Sequence, residues 1–194
     1  MTKPEAAFCR LCGSAMERRI PPLEDRERAV CPRCGFIDYI NPINVVGTVP
    51  VWREPDGTVQ ILLCLRNIEP RKNFWTLPAG FLEVGETSAE GAVRETWEEA
   101  GARVDLGDLF SVLDVTYSDQ VHLYWLAELR DLDFDPGPET IECRMFGLDE
   151  IPWDTLSFLT VRRTLELYLD DHRNGGFGVH YGNIDWGAKR RTGH

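Results

Sequence analysis

The chain has 194 residues, 43% of them hydrophobic, with 32 acidic against 21 basic side chains and a formal net charge of −11. That negative excess argues against a general polyanion-binding surface, because holding nucleic acid or an anionic membrane needs a basic stripe that releases counterions. No run approaches the roughly 20 apolar residues of a bilayer-spanning helix, and no apolar stretch follows Met1, so export is unsupported and a cytoplasmic chain with reduced thiols is expected.

The first strong signal is cysteine spacing. Cys9-Arg10-Leu11-Cys12 and Cys31-Pro32-Arg33-Cys34 are two C-x-x-C pairs separated by 18 residues, the spacing of a four-cysteine zinc ribbon. Gly13 and Gly35 follow the pairs, where glycine permits the tight turn that wraps two thiolates and backbone donors around one tetrahedral ion. A module spanning residues 1 to 40 buries little core, so structural zinc would supply most of its folding free energy. The alternative, disulfides, belongs to an exported chain. Arg10, Arg18, Arg19, Arg26, Arg28 and Arg33 leave local nucleic-acid contact as a minority reading, since few aromatics interleave with them.

Asn41-Pro42 marks a junction to a second domain, read as residues 41 to 173. Strands are expected at Val45 to Trp52 and Ile61 to Arg66, joined through Asp56-Gly57, a hairpin-turn pair. A helix is expected to start at Thr87, which forms a capping box with Glu90, and to end at Gly101. Ala89, Ala92, Val93, Thr96 and Trp97 offer its packing flank, leaving the carboxylates outward. Glu95, Glu98 and Glu99 are spaced i, i+3, i+4, so they share one face and repel unless a cation holds them. Magnesium or manganese is the simplest such cation, completed by phosphate oxygens of a substrate. Arg94, four residues before Glu98, is placed to orient that carboxylate. The competing reading is a merely solvated acidic face.

Further strands are expected at Leu109 to Thr116, Val121 to Glu128 and Ile141 to Phe146, and a second long helix between Asp154 and His172. Cys64 and Cys143 stand alone in strand-like runs and read as buried structural cysteines. The order strands, helix, strands, helix implies an α/β sandwich with a mixed sheet. Residues 174 to 194 read as a glycine-rich, mobile tail, although Phe177, His180, Tyr181 and Trp186 suit packing on a partner subunit or on the ribbon. Arg66 and Arg71 are candidates to clamp a phosphate, and Phe74, Trp75, Phe81, Tyr117 and Trp125 to wall a ring, Tyr117 foremost; salt-bridging and core packing compete for them.

The pattern Gly80, five residues, Glu86, seven residues, Arg94-Glu95-Thr96-Trp97-Glu98-Glu99-Ala100-Gly101-Ala102 resembles the Nudix box, departing only at Thr96 and Ala102. From the ribbon through Trp75-Thr76-Leu77-Pro78-Ala79-Gly80-Phe81 and Phe134-Asp135-Pro136-Gly137-Pro138-Glu139 to Phe177-Gly178-Val179-His180, the chain is similar to zinc-ribbon Nudix hydrolases related to FAD and ADP-ribose pyrophosphatases. The resemblance implies a Nudix-type α/β/α sandwich behind a zinc ribbon, splitting a nucleoside diphosphate derivative into two monophosphates. It implies that the Gly80 carbonyl, Glu95, Glu98 and Glu99 hold one to three divalent ions, and that Glu98 is the first choice for the base, with Glu142 second and Glu139 its competitor. A homodimer is implied as well. The NADH pyrophosphatase branch carries a Ser-Gln-Pro-Trp-Pro-Phe-Pro type segment after the box, whereas this chain continues Asp105-Leu106-Gly107-Asp108-Leu109-Phe110, which demotes NADH. Cleavage of an oxidised nucleoside triphosphate, and ligand sensing without turnover, are the rival readings.

Overall fold

The computed structural model describes residues 5–185 and divides into two compact units at Pro42/Ile43. The first is a small antiparallel sheet of β1 (Glu17–Arg19), β2 (Arg28–Val30) and β3 (Ile37–Asp38), in the order β1-β2-β3. Gly13 and Gly35 adopt left-handed φ values of 70° and 77°, and their N–H groups return to the carbonyls of Cys9 and Cys31 at 2.8 and 3.0 Å. Each C-x-x-C pair thus closes as a tight knuckle. The apolar interior is little more than Cys9, Ala29, Val30 and Cys31.

The second unit is one mixed sheet. Its strands are β4 (Ile43–Arg53), β5 (Val59–Arg66), β6 (Trp75–Thr76), β7 (Ala79–Phe81), β8 (Val104–Val115), β9 (Gln120–Leu129), β10 (Thr140–Gly147) and β11 (His180–Asn183). The order is β10-β5-β4-β9-β8-β11, with β6 on β5 and β7 on β4. Neighbours are antiparallel except β4 with β9 and β8 with β11. The helices are α1 (Ser88–Ala100) and α2 (Leu159–Asn174), one against each face.

Period-2 alternation explains the layering. In β5, Val59, Ile61 and Leu63 enter the large core with Phe110, Tyr124, Val161, Leu165 and Tyr168 of β8, β9 and α2. Leu62 and Cys64 face the other way, joining Ala100, Ala102, Val104 and Ala127 beneath α1. A strand covered on both faces reads as a continuous apolar run, here Ile61-Leu62-Leu63-Cys64. One edge of β4 is shared: Val51–Arg53 pair with β5, whereas Val45–Gly47 pair with β7. That split places the start of the acidic-helix motif beside the middle of the sheet.

The expected strands and helices all occur, with three differences. β8 begins at Val104 rather than Leu109, because irregular registers between Leu106 and Leu109 and between Leu109 and Ser111 break its alternation. α2 begins at Leu159, since Trp153–Thr155 form a separate 3-10 turn and the Ser157 N–H bonds to the Trp75 carbonyl at 2.8 Å. The segment read as a mobile tail instead carries β11, paired with Ser111–Asp114 of β8. Phe177 packs on Phe110 and Tyr168 at 6.3 and 5.1 Å between centroids, and His180 meets Asp171 at 2.8 Å. Trp186 and Lys189-Arg190-Arg191 lie outside the described residues. Among the described residues no helix is long and apolar enough to cross a membrane.

Candidate active site

The loop into α1 and the helix itself set the geometry. Thr87 accepts from the Glu90 N–H at 3.2 Å and the Glu90 carboxylate accepts from the Thr87 N–H at 2.8 Å, completing the capping box; Gly101 closes the other end at φ 62°. Gly91, Ala92, Thr96 and Ala100 form the buried flank, but Trp97 does not join it and is 54% exposed. Thr96 stands where the Nudix pattern prefers an aliphatic residue. Its hydroxyl is 2.7 Å from both Thr48 Oγ1 on β4 and the Ala92 carbonyl, so the buried polar atom is satisfied.

The carboxylates are not a uniform outward face. Arg94 is the cation that organises them. Its Nε and Nη2 grip both oxygens of Glu86 at 3.0 and 2.8 Å, while Nη1 reaches Glu95 at 2.8 Å and Glu98 at 3.0 Å. Nη2 also donates to the Phe81 carbonyl at 3.1 Å. The fork holds the Glu86 carboxyl down at about 2, helped by the Glu83 N–H. Glu95 is raised because its burial outweighs Arg94. Glu99 turns inward, is 9% exposed, and accepts from the Ala79 N–H at 3.1 Å. Burial pushes it up to about 8, with the Ala79 bond opposing. Glu98 remains more than half exposed.

Gly80 is required by contact rather than by φ: a Cβ there would lie 2.2 to 2.4 Å from the Glu95 carboxylate. This cradle brings the Gly80 backbone against Glu95, a hard oxygen donor set that suits a divalent cation. The ligand atoms of Glu95, Glu98 and Glu99 do not gather within 4.8 Å of one another; among the described residues only the four ribbon cysteines do so.

The remaining expected site residues separate into two groups. Arg66 donates to the Pro70 carbonyl at 3.1 Å, lies over the Phe158 ring, and its charge is felt at Glu99. Tyr117 sits in the 3-10 turn Thr116–Ser118 and is 46% exposed. Glu142 does not face α1. Its neighbour Cys143 does, with Sγ 3.9 Å from the Glu99 carbonyl, and the Glu142 carboxylate instead pairs with Arg144, which stacks on Trp75 and Phe146. Beyond the mutual repulsion of the box carboxylates, the loop acid whose negative charge reaches Glu95 and Glu99 is Glu139. Its loop lies on the end of α1: the Asp135 and Gly137 N–H groups bond to the carbonyls of Ala100 and Glu99 at 3.0 and 3.1 Å, and a Cβ on Gly137 would sit 1.9 Å from the Glu98 carbonyl. Glu86 and the Ala79 N–H are site elements that sequence reasoning passed over; Glu86, eight residues before Arg94, carried the usable signal. Arg71 lies over Phe74, and Trp75 is core, edge-on to Phe146.

In the ribbon, the ligand sulfurs of Cys9, Cys12, Cys31 and Cys34 all lie within 4.8 Å of one another, with Cys9 to Cys34 at 3.6 Å and Cys12 to Cys31 at 3.4 Å. Four sulfurs at about 2.3 Å from one tetrahedral zinc stand about 3.8 Å apart, so the cluster fits zinc. None of these four cysteines is paired in a disulfide.

Comparisons with known proteins agree with this geometry. A NUDIX domain model matches residues 42–166 and a Nudix N-terminal zinc-ribbon model matches residues 7–40. The chain is similar to a solved NUDIX hydrolase from Nitrosomonas europaea, with 41% identity and a TM-score of 0.86 over 92% of this chain and 99% of that one. It is also 30% identical over 166 residues to the NAD-capped RNA hydrolase NudC of Stutzerimonas stutzeri, spanning 84% of this chain and 55% of that protein. An ADP-ribose pyrophosphatase from Streptococcus suis shares the fold, at 23% identity and a TM-score of 0.56 over 74% of this chain and all of that one. The chain spans between about a third and three fifths of the length of the first curated relatives it matches. Nudix enzymes work with magnesium or manganese, and the ribbon's cysteines supply a structural zinc site. With both modules matched along the chain and the box carboxylates held as described, this protein belongs to the NUDIX family, its NUDIX domain preceded by the family's N-terminal zinc ribbon.

Proposed function

We propose that the enzyme hydrolyses the pyrophosphate bond of a nucleoside diphosphate derivative of the ADP-ribose or FAD type, releasing two monophosphates. The observation that carries this reading is the box itself: Arg94 holding Glu86, Glu95 and Glu98, with Glu99 buried behind them. Gly80, Glu95, Glu98 and Glu99 are the residues that would hold magnesium or manganese. When bound, such an ion neutralises charge on the phosphoryl oxygens and makes a bound water more acidic. Glu98, exposed and steered by Arg94, accepts the proton of the attacking water. Arg66 balances charge beside Glu99 and is placed to meet a substrate phosphate, and Tyr117 offers a half-exposed ring for a planar group. Glu139, nearer in charge to Glu95 and Glu99, takes the auxiliary acidic role that the sequence assigned to Glu142.

Two observations favour a small substrate over a capped RNA. Residues 1–42 hold seven basic against six acidic side chains. Arg10, Arg18 and Arg28 are committed to Asp38, Glu5 with Glu27, and Glu24, so half of the described ribbon arginines are neutralised by neighbouring carboxylates, which weakens the case for an RNA surface. The segment Asp105–Phe110 runs inside β8, leaving no inserted loop after the box. A C-x-x-C pair used for zinc needs reduced sulfur, which suits a reducing compartment such as the cytoplasm, and a homodimer is the proposed assembly.

The test is turnover of ADP-ribose, FAD, NADH, diadenosine tetraphosphate, NAD-capped RNA and oxidised dGTP with magnesium or manganese, products being resolved by chromatography. Monophosphate pairs from ADP-ribose or FAD are expected to form fastest. Pyrophosphate released from oxidised dGTP as the dominant product would overturn the reading. Glu98→Gln is expected to lower turnover at least a hundredfold while zinc content and circular dichroism stay unchanged.

A further inference from the structure

Cys64 and Cys143 lie outside both the ribbon and the box, and the fold sets them face to face. They are direct partners on the antiparallel strands β5 and β10, with Sγ atoms 3.8 Å apart. Directly opposed residues of an antiparallel pair have Cα atoms about 4.5 or 5.5 Å apart, within the roughly 4.4 to 6.8 Å that a disulfide bridges. The strand pairing therefore sets the two cysteines at a backbone spacing compatible with a disulfide. Cys64 is 1% exposed, whereas Cys143 is only half-buried and rests against the carbonyls of Glu99 and Ala100 at 3.9 and 4.0 Å. Those carbonyls also receive the Asp135 and Gly137 N–H groups of the loop leading into β10. The dithiol thus sits where the last turn of α1, carrying Glu99, is seated on the sheet.

We infer that Cys64 and Cys143 form a reversible redox modification site that controls the seating of Glu99. A hydroperoxide is the oxidant. The Cys143 sulfur attacks the peroxide oxygen, the O–O bond breaks, and the thiol proton leaves with the departing oxygen as water or an alcohol, giving Cys143 sulfenic acid. The Cys64 sulfur then attacks Sγ of Cys143, the S–O bond breaks, and the Cys64 proton leaves with the hydroxyl as water. Two thiols lose two electrons and the peroxide gains them. In the product, Sγ of Cys143 is drawn toward Cys64 and off the α1 carbonyls. The seat of Glu99 loosens and turnover falls.

The experiment uses the full, zinc-loaded chain treated with a small excess of hydrogen peroxide, then denatured, alkylated and mapped without reduction. The expected result is a cross-linked peptide pair containing Cys64 and Cys143, two hydrogens lighter than the free peptides, with turnover lowered at least threefold and restored by dithiothreitol. Cys143→Ala, which lacks the Sγ contact and cannot cross-link, is expected to start with lowered turnover and to show no further fall under the same treatment. The mapping does not depend on which nucleotide is the substrate, and it needs no variant to fold. Recovery of both cysteines as alkylated thiols, under peroxide that fully oxidises added glutathione, would overturn the inference. So would Cys143 trapped as sulfinic acid with Cys64 free, or a cross-link that leaves turnover unchanged.

Discussion

Single residues set the character of this site through contact and burial. The contact between Gly80 and Glu95 predicts that Gly80→Ala raises the magnesium concentration for half-maximal turnover about tenfold, with the fold intact by circular dichroism; the added methyl must displace a carboxylate already tied to Arg94. His122 carries a different consequence. It lies on β9 beside Tyr124, bonds to Gln120 through Nε2 at 3.0 Å, and leaves a buried Nδ1 with no partner among the described residues. Burial lowers it to about 4. The unfolded chain takes up the proton near pH 6.5 and the folded chain resists until about 4, so this stability is complete above pH 6.5 and lost as pH falls toward 4. The loss is on the order of 3 kcal/mol. His122→Leu, which cannot charge, should flatten the acid limb of a denaturation-midpoint profile between those values; an unchanged limb would rule His122 out as its cause. The sequence marked Glu95, Glu98, Glu99 and Arg94 by spacing alone. It could not reveal that Glu99 turns inward, because i, i+4 spacing fixes a face while the split edge of β4 decides what that face meets.

At the scale of elements, α1 and its loop were legible because their signals are local: a capping box, a left-handed glycine and a charge spacing all lie within a few residues. β11 was not. Residues 177–183 carry no strand pattern, and their pairing depends on the outer edge of β8, some 70 residues earlier in the chain. The tyrosine, histidine and phenylalanine that looked surplus to a tail are what hold that strand: Tyr181 bonds to Asp114, His180 to Asp171, and Phe177 covers Phe110. Phe177→Ala is therefore expected to lower unfolding stability by about 1 to 2 kcal/mol, less than a fully buried phenylalanine because Phe177 is 40% exposed. Urea titration would measure it, and turnover under native conditions should be unaffected. The side of the strand that Glu142 occupies was not legible for the same kind of reason. The register shift between Thr140 and Glu142 decides which side of β10 it occupies, and no sequence pattern announces a bulge.

For the whole molecule, the two units differ in what stabilises them. The larger has a sixteen-residue core of its own between sheet and α2. The smaller has a handful of buried residues and four clustered sulfurs, so its fold depends on metal. A strong zinc chelator is expected to abolish the ribbon's structure while the larger unit retains a cooperative thermal transition, with one zinc released per chain by colorimetric titration. Magnesium should wash out freely under conditions that leave zinc bound. Zinc absent from a freshly reduced preparation would refute the ribbon's role. The parallel pairing of β4 with β9 also fixes an order of events during synthesis. The ribosome releases β4 and β5 as a hairpin early, yet the other edge of β4 stays bare until β9, which begins 77 residues after Ile43, has emerged. The nascent chain therefore displays its most apolar strand pair with one side open for much of its translation, so chaperones would meet this protein chiefly at β4.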